Sequence, residues 1–489
     1  MDTLLYLVGL LQSGLGNLAA YLAAHVLLCL LPAFFIAGAL TALVPKEAVT
    51  RFLGRNAPKY VSYPAAALAG SVLAVCSCTI VPLFAGIYRK GAGLGPAITF
   101  LFFAPAANIL ALAYTGVLIG GDIALARILL SLVFGIGIGM VMALIFSRSD
   151  AAHDQESNGV FAAGGRLKPG TLALLGLLVA LLIFGTLKVG LLTNDYVRLT
   201  LPISGMDRFQ NALYQLVPFD AAKGEEGVSA QGAILIGLLA LVGITAWRGL
   251  GKVDEGYNRW TGASLGLIAL TLVVAATRMV PQASGLDIFL TGRVFGVLLA
   301  LVGLWFVARR YFEEHEIQEW LWETWRFVRQ IFPLLVVGVF AVGVIRRLIR
   351  PEWIGALAGR NTVLGNLAGV IFGIFLYFPT LVEVPIAKMF LSLGMHRGPL
   401  IAYLMADPEL SLQSILMIAA IIGRRKAWTY AGVVGIFSTL SGLIYGAWVD
   451  GASPWLLLAY LAASLAALAL GLYLIDRRNR REAEITRTP

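Results

Sequence analysis

Charge is scarce in this sequence: Asp, Glu, Lys and Arg make up 13% of 489 residues, roughly half the share of an ordinary soluble domain. That excludes a water-soluble globular fold. Cysteine is nearly absent, with Cys29, Cys76 and Cys78 the whole complement, too few for a disulfide scaffold; thiol chemistry or soft-ligand binding is what remains for them. No Walker A loop and no dense His/Asp cluster occurs, so ATP hydrolysis by this chain is not expected and energy must come from a gradient. No long basic run interleaves with aromatics, which argues against a nucleic-acid partner despite the net charge of +10. Met1-Asp2 lacks the basic start of a secretion signal, so no removable leader is expected.

Apolar residues, by contrast, reach 59%, and mean hydropathy is +0.84. Runs of the ~20 residues needed to cross a bilayer recur along the chain. They lack the strict apolar/polar alternation of a membrane β-barrel. The expected fold is an all-α polytopic membrane protein of about 12–14 transmembrane helices. Four spans are read near 18–44, 62–88, 93–119 and 122–147, with a short interfacial helix or loop at 45–60. A polar linker, 148–169, leads to four plainer spans near 170–193, 231–247, 261–281 and 287–309. Glutamates mixed with Trp320, Trp322 and Trp325 suggest a helix in the headgroup layer over 311–330. Spans near 331–347, 363–390, 398–421 and 428–447 follow, then a last helix near 454–475 and a basic tail. The expected blocks are therefore a first bundle (1–147), a linker with accessory helices (148–310), a second bundle (311–450) and a final helix with tail (451–489). Arg477, Arg478, Arg480 and Arg481 of the tail favour a cytoplasmic C-terminus in a plasma (inner) membrane.

The two bundles are related by an internal repeat. A 25-residue stretch from Val81 recurs without a gap 303 residues later: Val81-Pro82, Gly91, Gly95-Pro96, Ile98, Leu101 and Pro105 match Val384-Pro385, Gly394, Gly398-Pro399, Ile401, Leu404 and Pro408. Gly54-Arg55-Asn56 recurs as Gly359-Arg360-Asn361 after a two-residue shift. Prolines and glycines stand in both copies where unbroken helix would otherwise run, and paired broken segments point to a transporter's binding site. Gly423-Arg424-Arg425-Lys426 is basic while its counterpart near Gly120-Gly121-Asp122 is not, so the copies are expected to be inverted. A count of thirteen spans gives the opposite parity, and the charge contrast is preferred because broken helices are easily miscounted.

Candidate chemistry gathers at the breaks. Pro82 follows Cys76-Ser77-Cys78, disfavours helical geometry just before itself, and would let two thiols converge on an unwound stretch. Soft thiolates suit Cu(I), Zn(II) or a trivalent arsenical; the plainer alternative is that these cysteines are small buried hydrophobes. In the second copy Glu383, Asp407 and Glu409 take the places of Ile80, Ala104 and Ala106. An acid at membrane depth costs about 2.5 kcal/mol or more and is a functional candidate by default, for a coupling proton or a cation. A self-neutralising pair with Lys388 is the alternative. Asn108 could line the path or bridge helices, and Cys29 could add a third thiol.

Cys76-Ser77-Cys78, Val81-Pro82, Gly86, Arg89-Lys90-Gly91-Ala92 and the stretch from Phe100 to Pro105 resemble the ArsP-like predicted permeases. The resemblance covers about 18–147 and 316–447. It implies efflux of trivalent organoarsenicals such as methylarsenite, or of copper or zinc, with Cys76 and Cys78 as arsenic or metal ligands and the two hairpins framing the path. Two features depart from the family pattern: the four middle spans, and the acids of the second hairpin.

The reading is thus a secondary transporter, not an enzyme, for a soft metalloid or metal. Its candidate substrate-binding residues are Cys76, Ser77, Cys78, Pro82, Pro105, Asn108, Glu383, Pro385, Asp407, Pro408 and Glu409, with Cys76 and Cys78 as metal ligands. The expected partners are a small-molecule or ion substrate and the lipid bilayer, with a homo-oligomer left open; no cofactor is expected. A permease for an anion or small organic solute is the alternative, followed by an intramembrane enzyme using Glu383 and Asp407 or a structural subunit.

Overall fold

The computed structural model describes residues 2–24, 28, 30–55, 57–72, 77–107, 109–147, 149–150, 168–186, 190–203, 205–217, 219–220, 225–282, 285–348, 350–376, 383–453, 455–462, 464 and 466. In chain order the principal helices are α1 (Asp2–Ala24), α2 (Leu31–Ala42), α3 (Lys46–Leu53), α4 (Lys59–Val72), α5 (Ser77–Arg89), α6 (Leu94–Ala106), α7 (Ile109–Leu118), α8 (Gly121–Ile145), α9 (Pro169–Thr186), α10 (Met206–Leu216), α11 (Ala230–Arg248), α12 (Arg259–Ala276), α13 (Gly292–Tyr311), α14 (Glu314–Leu348), α15 (Pro351–Ala358), α16 (Val363–Phe375), α17 (Glu383–Ser392), α18 (Arg397–Leu410), α19 (Leu412–Ile422) and α20 (Arg424–Val449). This is an all-α polytopic membrane protein. Among the described residues seven helical stretches are long and apolar enough to cross a bilayer, or eight with the bent pair α18–α19. The spans expected at 18–44, 62–88, 170–193 and 363–390 fall on α1 and α2, α4 and α5, α9, and α16 and α17, and the last, near 454–475, runs largely outside the described residues.

Two compact units emerge. Unit 1 comprises Met1–Ala48, Cys78–Lys90 and Gly164–Arg347; unit 2 comprises Val49–Ser77, Gly91–Ala163 and Leu348–Pro489.

In unit 1, α9 packs on α2 and α13, and α11 packs on α1 and α12. Of the four plain spans of the middle section, the one expected at 261–281 ends at Ala276 and the one expected at 287–309 begins at Gly292. Arg278–Gln282 and Gly285–Thr291 form an antiparallel hairpin joined by Asp195–Leu201. Asp287 on its central strand accepts from Arg198 Nη2 at 2.6 Å and Thr200 Oγ1 at 2.7 Å, and the Arg198 hydrogen bond leads in holding its carboxyl below the usual 3.8. The tryptophan-rich segment also differs from the headgroup-layer helix expected of it. It is the start of the continuous 35-residue helix α14, and Trp320 and Trp325 are buried. Trp320 Nε1 donates to the Phe35 carbonyl at 2.8 Å. Its indole N–H has found a protein acceptor, so the ring need not sit near water.

In unit 2 the two repeat copies build the same cluster twice, α4–α6–α8 and α16–α18–α20. Small residues let the backbones touch. A Cβ on Gly70 would lie 3.0 Å from the Ala104 nitrogen, and one on Gly373 would lie 2.8 Å from the Asp407 nitrogen. Likewise Gly139 abuts the Gly95 carbonyl and Gly442 the Gly398 carbonyl, at 2.7 and 2.6 Å from the hypothetical Cβ. Gly91 and Gly394 turn the two hairpins with φ of 87° and 88°, a left-handed geometry that favours glycine. Even the two-residue shift is kept: Gly93 N–H donates to the Leu53 carbonyl, and His396 N–H to the Ala358 carbonyl.

The copies meet through α8 and α20, whose repeat mates Phe134 and Phe437 pack with ring planes tilted by 49° and centroids 5.1 Å apart. Tyr445, near the end of α20, donates to Asp122 at the start of α8 at 2.9 Å. The two equivalent helices therefore run antiparallel.

Candidate functional site

The breaks set by Pro105 and Pro408 position the site. Without an N–H, each proline removes a rung from its helix. α6 ends one residue after Pro105, where Ala107 leaves helical geometry (φ −115°, ψ 31°). α18 ends two residues after Pro408, and the chain bends by 46° into α19. Ser411 caps the new helix, its Oγ accepting from Ser414 N–H. Terminal carbonyls of a stopped helix need donors from elsewhere. Arg127 on α8 supplies one, its Nε donating to the Ala106 carbonyl at 2.9 Å.

The same guanidinium extends to the other copy. Arg127 Nη1 lies 2.7 Å from Glu383 Oε1, and both side chains are fully buried. Glu383 opens α17, where the positive end of the helix dipole favours a carboxylate. Asp407 on α18, fully buried, lies beside Glu383. Glu409, two residues on and 2% exposed, accepts at Oε2 from the Tyr430 hydroxyl at 2.7 Å. Glu409 Oε1 has no hydrogen-bond partner among the described residues. Three carboxyls and one guanidinium thus share one dry region.

The repeat explains the layout. Arg127 and Tyr430 are mates at a spacing of 303, as are Ala106 and Glu409. Each mate bonds the corresponding partner: Arg127 to the backbone at 106, Tyr430 to the side chain at 409. The scaffold is duplicated, whereas the acids belong to one copy and the arginine to the other.

The candidates from the sequence divide accordingly. Glu383, Asp407 and Glu409 come together, and Pro105 and Pro408 are buried where the helices stop. Pro385 sits half-buried in the first turn of α17, where its missing N–H has no helical partner to lose. Pro82 is buried within α5, and Ser77 and Cys78 open that helix. Cys76, Cys29 and Asn108 lie outside the described residues. Lys388 is exposed while Glu383 is buried, so the alternative, a self-neutralising Glu383–Lys388 pair, is not formed among the described residues. His396 caps α18 through Nδ1, which accepts from Gly398 N–H at 3.1 Å. Arg127 and Tyr430 were not among the candidates. Arg127 had a signal, as the one cation within the 25-residue apolar helix α8.

A multi-pass helical protein with proline-interrupted duplicated hairpins and buried charge at their junction belongs to the class of membrane permeases. The ArsP_1 family model, described as a predicted permease, matches residues 13–447, and the chain belongs to that family. It is 31% identical to UPF0718 protein MJ0584 of Methanocaldococcus jannaschii over 449 residues, 91% of this chain and 98% of that protein. A shorter likeness, 27% over 127 residues, links 26% of the chain to 35% of UPF0718 protein YraQ of Escherichia coli. No solved structure matches the chain.

Proposed function

We propose that this permease is a secondary transporter exporting a soft metalloid or metal species, with trivalent organoarsenicals as the leading class. The observation that carries the transport mechanism is the antiparallel packing of the repeat mates α8 and α20, with Phe134 against Phe437 and Asp122 against Tyr445. Antiparallel equivalents are what an inverted repeat requires, and inverted repeats place substrate sites at broken helices near the midplane. Cys76 and Cys78 are the ligands in this reading. A trivalent methylarsenical bearing two hydroxyls would exchange both for thiolates, releasing two waters. Pro82, Pro105, Asn108, Pro385 and Pro408 would shape the path, and the C-terminal tail would lie in the cytoplasm of the plasma membrane. The buried Arg127 favours a second reading, in which an anion or small organic solute is carried and the cysteines are bystanders.

Uptake of external methylarsenite by everted membrane vesicles decides between them. Accumulation by the wild type and its loss in Cys76→Ser/Cys78→Ser, with unchanged elution in detergent, is the expected result. Full accumulation by the double variant would remove the thiol mechanism.

A further inference from the structure

We propose that Asp407 and Glu409, beside the Arg127–Glu383 pair, form a proton-binding site that carries the coupling ion of transport. The inference rests on the reading of the chain as a secondary transporter. Charge arithmetic makes the case. Three carboxyls face one guanidinium, and none of the four side chains is more than 2% exposed, so full ionisation would leave two uncompensated negative charges in a dry region. The Arg127 contact of 2.7 Å keeps Glu383 as its counter-charge. The fully buried Asp407 carboxyl lies beside that of Glu383, and like charges so close in a dry region favour one bound proton between them. Among the described residues Glu409 takes a single hydrogen bond, from Tyr430, and its second oxygen is buried without a partner. A neutral carboxyl tolerates that position far better than a carboxylate.

Among the described residues no other ionisable group is placed to compensate. Around α17 and α18 pack α6, α7, α8, α16, α19 and α20. α6, α16 and α19 contain no titratable residue, and α7 adds only the partly exposed Tyr114. Asp122, Arg397 and Tyr445 form their own cluster at the starts of α8 and α18 and the end of α20. α8 and α20 contribute Arg127 and Tyr430 here; Arg424 and Arg425 of α20 are exposed and its Lys426 interacts with Asp150, Tyr403 of α18 is a buried phenol packed on Phe390, and Lys388 on α17 is exposed.

The site can also change state. The first copy offers Ile80, Ala104 and Ala106 where the second offers Glu383, Asp407 and Glu409, so Arg127 is held by one copy and the acids by the other. Opening the dry region to water on either side would let Asp407 and Glu409 release their protons, and closing it again requires their return.

Infrared spectra of the full protein in detergent at neutral pH test the site. The difference between wild type and Glu409→Gln, and independently Asp407→Asn, should contain the carbonyl stretch of a protonated carboxyl. Loss of carboxylate bands in both differences would overturn the proposal. Coupling is read in proteoliposomes enclosing a pH dye, with methylarsenite as probe. Wild-type flux should move protons, and Glu409→Gln should abolish proton movement at least tenfold. Flux that moves no protons, or that stops without sodium, would overturn the coupling role while leaving transport standing. Absent flux with the carboxyl band intact would instead count against the transport reading and leave the proton site.

Discussion

Replacing Glu383 by leucine would leave the Arg127 guanidinium buried with its counter-charge gone. At 2.7 Å and an effective dielectric of about 20, the lost attraction is about 6 kcal/mol, partly offset because the cost of burying the Glu383 carboxylate disappears with it. Breaking a buried pair by removing one partner typically costs about 3–5 kcal/mol. The two halves of this pair are not equivalent. Arg127 cannot lose its proton, whereas Glu383, stranded by Arg127→Met, can gain one and become neutral. Glu383→Leu should therefore lower the thermal unfolding midpoint in detergent more than Arg127→Met does. The double variant should recover much of the loss, since an apolar pair of similar volume is often neutral or stabilising. Equal effects of the single variants, or a double variant no better than Glu383→Leu, would refute the pairing.

Two further outcomes follow from geometry. Gly373→Ala would drive a methyl to 2.8 Å from the Asp407 nitrogen, an overpacking worth about 1–3 kcal/mol. Gly432→Ala, with open space around it, should be neutral or slightly stabilising in the same unfolding assay. Outside the membrane, Asp287 is held below 3.8 chiefly by Arg198. A depressed carboxyl stabilises the folded sheet above its unfolded value and loses that contribution as pH falls through the folded one. Proteolysis of the 195–291 segment should rise below about pH 4 in the wild type, with a flatter profile in Asp287→Asn.

Much of the membrane architecture was legible because hydrocarbon imposes a length and apolarity that composition cannot disguise. The hairpin turns were legible too: Gly91 and Gly394 are required by φ near 87°, and Pro105 and Pro408 end their helices from within. The headgroup reading of Trp320 failed for a different reason, since aromatic and charged residues look alike whether an indole meets lipid headgroups or a protein carbonyl 285 positions away. The hairpin at 278–291 was missed because its apolar residues run on directly from α12 and into α13.

Glu383, Asp407 and Glu409 were singled out from the chain because acids in apolar surroundings are costly wherever they sit. Their partners were not, because Lys388 and Arg127 are both plausible cations and only packing chooses which faces inward. The sequence by itself determined a duplicated helical membrane protein and where each copy is interrupted, since those follow from local solvation and from proline and glycine backbone limits. Tertiary structure alone decided that Arg127 of one copy closes on Glu383 of the other. That contact spans 256 residues, and its energy exists only once two helix ends are buried against α8.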